Sequence, residues 1–209
     1  MTHCFECHTT FAAFELLTGQ SATEIARLLD EQHPNCACEK GSVSQFSSGV
    51  VHDDEIMIRL LVSPHHINRK RKVPAAAALS HAEKHGLSIM RLDQATDQNI
   101  RNGAERLVRN ARNAQTTNPD EIGVFGVLEM KCGIIRQAKA DNSDFPAYCV
   151  YDTALEENPS HSECFQRVYG ADQALTLARR QALFASVSSS FISVEKFRNG
   201  FLADLAPRV

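Results

Sequence analysis

Ile56-Met57-Ile58-Arg59-Leu60-Leu61-Val62 is a seven-residue run of β-branched and aliphatic side chains, bounded by Asp53-Asp54-Glu55 before it and Pro64 after it. Its length and its two flanks predict a largely buried strand, because a helix of the same composition would need to be longer and would not stop at a proline. One residue breaks the run. An arginine among buried neighbours wants an anion, either a carboxylate of the same protein or a ligand phosphate, and a structural salt bridge is the expected partner for Arg59.

Downstream, Pro64 and Pro74 bracket a loop that carries Arg69, Lys70, Arg71 and Lys72 in succession. Mutual repulsion keeps such cations in water, where they either do nothing or contact nucleic-acid phosphates without reading bases. Ala75 to His85 is alanine-rich and helix-prone, with Gly86 placed to cap it. Leu87 to Leu92 predicts an inner strand holding Ser88 and a second arginine, Arg91. Ile100, Ala104, Leu107, Val108 and Ala111 recur at helical spacing, with Arg101, Arg106, Arg109 and Arg112 on the same segment. Strands are expected at 122–128, 133–136 and 147–151, with the turn between the first two at Glu129-Met130-Lys131-Cys132. Ser160 is read as the cap of a helix containing Glu163, with His161 displayed just beyond the third strand. Two closing helices are expected over 171–187 and 193–205.

Upstream, Cys4 and Cys7 stand in Cys-x-x-Cys spacing, and Cys36 and Cys38 in Cys-x-Cys spacing. Two such pairs from separate segments can close a tetrahedron around zinc and leave no open position, so the expected site is structural. His8 and His33 are alternative ligands beside the pairs. Between them a short helix over 11–18 stops at Gly19, and Ser21 with Glu24 is a capping-box signature for a second helix carrying Ile25, Leu28 and Leu29. A Gly/Ser-rich stretch, 41–49, reads as a linker. The expected architecture is therefore α+β: a small helical zinc-binding N-terminal hairpin over 1–40, then a mixed-sheet α+β domain over 50–209 with C-terminal helices.

Composition narrows the function classes. The 209 residues are 43% hydrophobic and 22% charged, the balance of a globular chain with enough apolar material for a core. No stretch has the eighteen or so apolar residues of a membrane helix, and the first residues lack a signal-peptide pattern, so a cytoplasmic protein with no membrane partner is expected. Seven cysteines, an odd number, favour thiol or metal chemistry over a disulfide framework. The net charge of −3 divides unevenly: residues 1–50 carry two basic and six acidic side chains, 51–113 eleven and seven, and 114–209 nine and twelve. The middle of the chain is basic, and a phosphate partner responds to that local field.

Two functions follow as expectations. The first is a zinc-stabilised binding module whose basic centre, Arg69 to Lys72 above all, contacts nucleic acid or an acidic protein. The second is an enzyme acting on a nucleotide or nucleic acid, with Arg59 and Arg91 holding the anion and His161 as general acid/base. In order along the chain, Arg59 on an early strand, Ser88 on the next and a later His161 resemble ADP-ribosyltransferase-like folds over about residues 50–165. In those folds, such residues surround a nicotinamide nucleotide. The resemblance implies ADP-ribosyl-transfer-like chemistry, though the later glutamate of many such enzymes has no evident counterpart here. Substrate, oligomeric state and the choice among DNA, RNA and protein are not encoded in any motif of the chain.

Overall fold

The computed structural model describes Thr9 and residues 25–32, 37–114, 118–139, 146–168 and 170–208. The apolar run forms β1 (Ile56–Ser63), and it lies near the centre of a six-stranded sheet. The other strands are β4 (Leu87–Arg91), β5 (Gly123–Lys131), β6 (Tyr148–Tyr151), β7 (His161–Gln166) and β8 (Phe191–Ser193), in the spatial order β6-β7-β4-β1-β5-β8. A two-stranded hairpin, β2 (Ile67–Asn68) with β3 (Val73–Pro74), hangs from the end of β1.

The sheet is antiparallel throughout rather than mixed. The helical crossing between β4 and β5 explains why. It joins two strands that run the same way, but they settle on opposite sides of β1, so no parallel neighbours are created.

Burial on both faces accounts for the unbroken apolar character of β1. Met57 and Leu61 enter one core with Leu87, Ile89 and Leu128, while Ile58, Leu60 and Val62 enter the other with Met90 and Val127. The register between β1 and β5 shifts by one residue between Leu61 and Val62, which pair with Gly126 and Val124. Such a bulge switches the side-chain parity of β5, so that Val124 shares a face with Val127. Gly126 is required where β8 crosses, since a Cβ there would collide with the Ile192 carbonyl and the Phe191 ring.

The first face is covered by the 3-10 segment Ala76–Glu83, by α3 (Cys132–Gln137) and by α4 (Gln173–Val187). The second is covered by α2 (Asp97–Asn113), which buries Ile100, Ala104 and Val108. Burying each larger aliphatic side chain stabilises by about 1.5–3 kcal/mol. Thr96 starts α2 with a capping box, its Oγ1 accepting from the Asn99 backbone N–H, which stabilises by about 1 kcal/mol. A short helix, α1 (Ile25–Gln32), rests on the 3-10 segment, where the Ala26 N–H donates to the Lys84 carbonyl at 2.6 Å.

Several elements differ from the sequence reading. β5 continues to Lys131, and the expected strand 133–136 is α3, starting at Cys132. The segment from His161 is a strand and not a helix start; His161, Ser162 and Cys164 are drawn in by pairing with β4 on one side and β6 on the other. The expected last helix over 193–205 is instead the end of β8 and two 3-10 turns. Arg198 and Asn199 there have φ of 44° and 57°, a left-handed conformation that no α-helix can pass through. Within the stretch 41–49, Ser42 bridges to Asp152, and Ser44 Oγ donates to the Ala154 carbonyl. Cys4, Cys7 and Cys36 lie outside the described residues, and Cys38 falls on a 3-10 turn, Ala37–Lys40.

Candidate functional site

β1 and β4 pair only at Met57 with Arg91 and Ile58 with Met90. Beyond those positions the Arg59 guanidinium takes the place of a ladder bond, its Nη1 donating to the Ser88 carbonyl at 2.9 Å. A cavity of about 780 Å³ opens here. Arg59 and Leu60 reach it from β1, Ser88 and Met90 from β4, and His161 and Glu163 from β7. Arg106 and Asn110 of α2 form another wall, His81 and His85 of the 3-10 region a third, and residues 43–46 lie across it.

Arg59 is the cation at the bottom. It is only 1% exposed, and its Nε and Nη2 are buried without a hydrogen-bond partner among the described residues. The expected structural salt bridge is not made among those residues. Burial alone pulls its guanidinium down to about 10, with no carboxylate opposing the shift. Its ionisable neighbours are imidazoles. Burial, helped by the Arg59 charge, lowers His66 to about 2 and His81 to about 4, and lowers His85 as well. The Val62 N–H donates to Nδ1 of His66 at 3.0 Å, so that ring is held neutral by geometry too. An arginine surrounded by neutral rings is a charge lacking its counter-charge.

Ser88 and His161 face each other from neighbouring strands. The antiparallel register sets Met90 opposite His161 and Ser88 opposite Glu163, so Ser88 and His161 are diagonal neighbours on one face. Ser88 Oγ lies 2.8 Å from His161 Nε2. On the other side of the ring, Nδ1 is 3.0 Å from the Thr153 carbonyl oxygen and 3.0 Å from Thr153 Oγ1. A carbonyl can only accept, so Nδ1 carries the proton and Nε2 offers its lone pair to the serine hydroxyl. Burial lowers the His161 pKa, the bond to Thr153 opposes it, Arg106 lowers it further and Glu157 raises it. The ring is neutral at pH 7.

Arg91, grouped with Arg59 and His161 from sequence, is not among the residues lining this cavity. It is 3% exposed and saturated: Nε and Nη2 donate to the two Glu55 carboxylate oxygens at 2.7 Å each, and Nη1 and Nη2 donate to the Gly49 and Val50 carbonyls. Asp152 stands 3.9 Å away as a second carboxylate. Buried beside a guanidinium already matched by Glu55, Asp152 is raised to about 6. This knot pins residues 47–50 to the sheet.

Arg69, Lys70, Arg71 and Lys72 form the exposed tip of the β2–β3 hairpin. The tip is shaped by Asn68, whose Oδ1 accepts from the Lys70 and Arg71 N–H groups, and Arg69 lies 3.7 Å from Glu121. His52, Asp53 and Asp54 are an exposed turn. Burial raises the thiols of Cys132 and Cys149 to about 12 and that of Cys164 well above normal, so these three do not act as nucleophiles. Among the described residues no three His, Cys, Asp or Glu side chains converge as a metal site, and no helix is long and apolar enough to cross a membrane.

Sequence reasoning named Arg59, Ser88 and His161, and the cavity holds all three. It named Arg106 and Glu163 without bringing them to this site, and did not name Thr153, His81 or, beyond a helix end, His85. The one available signal was parity, which puts Ser88 and Met90 on one face of β4 and thus Ser88 with whatever strand lies alongside. Comparison with protein-family models, curated proteins and solved structures finds no match to this chain.

Proposed function

We propose that the protein is an enzyme acting on a phosphate-bearing nucleotide, with Arg59 as the anion anchor and His161 as the general base. The observation that carries this reading is the buried Arg59 guanidinium, whose side chain borders a cavity of ligand size and whose Nε and Nη2 have no hydrogen-bond partner among the described residues. A phosphate held in the cavity beside Arg59 would supply the missing charge. Arg106 adds a second cation, and Leu60, Met90, Leu107 and Phe46 supply apolar wall for a base. Titration calorimetry with AMP, cyclic AMP and inorganic pyrophosphate tests it. Binding by the wild type and a loss of about 100-fold in Arg59→Gln is expected; equal affinity in both proteins excludes the anchor role.

A second reading rests on the hairpin tip. Lys70, Arg71 and Lys72 are exposed and make no ion pair among the described residues, as a surface that meets nucleic-acid phosphates would require. Replacing all four tip cations by Ala is expected to weaken single-stranded RNA or DNA binding and to flatten its salt dependence; an unchanged slope removes this reading. Zinc at Cys4, Cys7, Cys36 and Cys38 is proposed on spacing alone, and metal content after purification without chelator decides it.

A further inference from the structure

We propose that Ser88 is a nucleophile that takes a phosphoryl group from a phosphodiester substrate, with His161 as its base and Thr153 as the group that orients the base. The inference rests on the Arg59 reading for the class of substrate, and on separate geometry for the chemistry. That geometry has three consecutive parts. The Ser88 hydroxyl donates to Nε2 of a neutral imidazole at 2.8 Å, the distance at which a proton is handed over as the oxygen attacks. The opposite ring nitrogen is locked as N–H by the Thr153 carbonyl at 3.0 Å, which fixes the tautomer and holds the ring in plane. Ser88 is half-buried while His161 is 7% exposed, so the oxygen is presented to the cavity and the base behind it is shielded from water.

The same cavity decides the electrophile. A neutral ester or amide would leave the Arg59 charge without a partner when bound and offer one only as its oxyanion formed. A phosphodiester brings one negative charge to it.

The step balances without any cofactor. Ser88 Oγ forms a bond to phosphorus while its proton passes to His161 Nε2. The phosphorus–oxygen bond to the leaving alcohol breaks, and that oxygen takes the proton from Nε2. Water then attacks the same phosphorus, gives its proton to Nε2, and Ser88 Oγ leaves and recovers it.

Diisopropyl fluorophosphate is the probe: its fluoride leaving group makes it reactive without the anion anchor, so it reads Ser88 and its base separately from Arg59, and attack by a serine forms the same oxygen–phosphorus bond. The wild-type protein is expected to gain one diisopropylphosphoryl group, placed on Ser88 by peptide mapping, with cyclic AMP slowing the reaction. Ser88→Ala should gain none there, and His161→Gln should react about 100-fold more slowly or worse. The groups around the ring are Arg106 from α2, Glu157 and Thr153 from the loop before β7, and Ser88 from β4. Since burial and Arg106 lower its pKa, the labelling rate should be flat above about pH 7 and fall only below the ordinary 6.5 of histidine. An adduct absent from Ser88 in the wild type, or an equal rate in His161→Gln, overturns the proposal. If that happens while cyclic AMP still binds through Arg59, the nucleophile alone is lost; if cyclic AMP does not bind either, the Arg59 reading falls separately.

Discussion

Arg59 and Arg91 occupy adjacent strands, β1 and β4, and both are almost completely buried, at 1% and 3% exposed. They differ in company. Arg91 gives two of its bonds to Glu55 and others to the Gly49 and Val50 carbonyls, with Asp152 close by. Arg59 has one backbone carbonyl, two nitrogens without a partner among the described residues, and imidazoles nearby. Burying a guanidinium carries a desolvation cost of several kcal/mol in either place. At Arg91 the protein itself offsets the cost, so the arginine is part of the fold. At Arg59 no described residue does so, and on the proposed reading a bound anion supplies the offset.

The largest expected effect breaks or upholds this contrast directly. Arg91→Met leaves Glu55 and Asp152 without their cation and frees residues 47–50, so unfolding free energy in urea should drop by about 3–5 kcal/mol. Arg59→Met removes an uncompensated charge and places an apolar chain among Met57, Leu61 and their neighbours. Its stability should change by less than about 1 kcal/mol, or rise. If the two variants lose equal stability, the contrast is wrong and Arg59 has a structural counter-charge.

A smaller effect tests the Arg91 side alone. Folded Asp152 keeps its proton to about pH 6, whereas the unfolded carboxyl releases it near 3.8. Between those values the folded state binds more protons, so this group's contribution to stability falls as pH rises and is fully lost above about 6. Asp152→Asn, which cannot ionise, should therefore gain on the wild type between pH 4 and 7, by up to about 3 kcal/mol. Taking the difference between the two proteins removes the buried histidines, whose lowered pKa values make the stability of both rise with pH over much the same range. A constant difference would show that Asp152 is already ionised at pH 4, held so by Arg91.

How much of this was legible in the sequence depends on whether the signal was local. The apolar run around Arg59 and the stripe of α2 are local patterns, and each formed where expected. The polar segment His161-Ser162-Glu163-Cys164 carries no strand signal of its own. It is a strand because β4 and β6 flank it, and its pairing with β4 is what brings His161 to Ser88. The partners of the two arginines were equally hidden. Both sit at odd positions in apolar runs, and only the fold delivers Glu55 and Asp152 to one and three histidines to the other. The end of the chain misled for a different reason: Val194, Phe197, Phe201, Leu202 and Leu205 have helical spacing, yet they are buried or half-buried from turns around two left-handed residues.

The smallest expected effect sharpens the Arg59 side. His81 and His85 have rings 4.4 Å apart and line the cavity with Arg59, whose charge helps keep them neutral, together with Lys84. Burial is the larger cause of their lowered values and persists, but an anion bound at Arg59 cancels that repulsion and favours the protonated forms, so the pKa of His81 should rise part of the way from about 4 toward 6.5. Between those values binding takes up a proton, and affinity must then rise as pH falls, by at most about tenfold per unit for each proton taken up. Cyclic AMP is the right probe, because its phosphodiester keeps a single charge over this range and contributes no titration of its own. Affinity measured from pH 7.5 to 5 should increase toward acid in the wild type and less steeply in His81→Asn. A flat profile in the wild type would mean that the ligand's charge does not reach the imidazoles, and that the anion sits on Arg106 and the open side of the cavity instead of against Arg59.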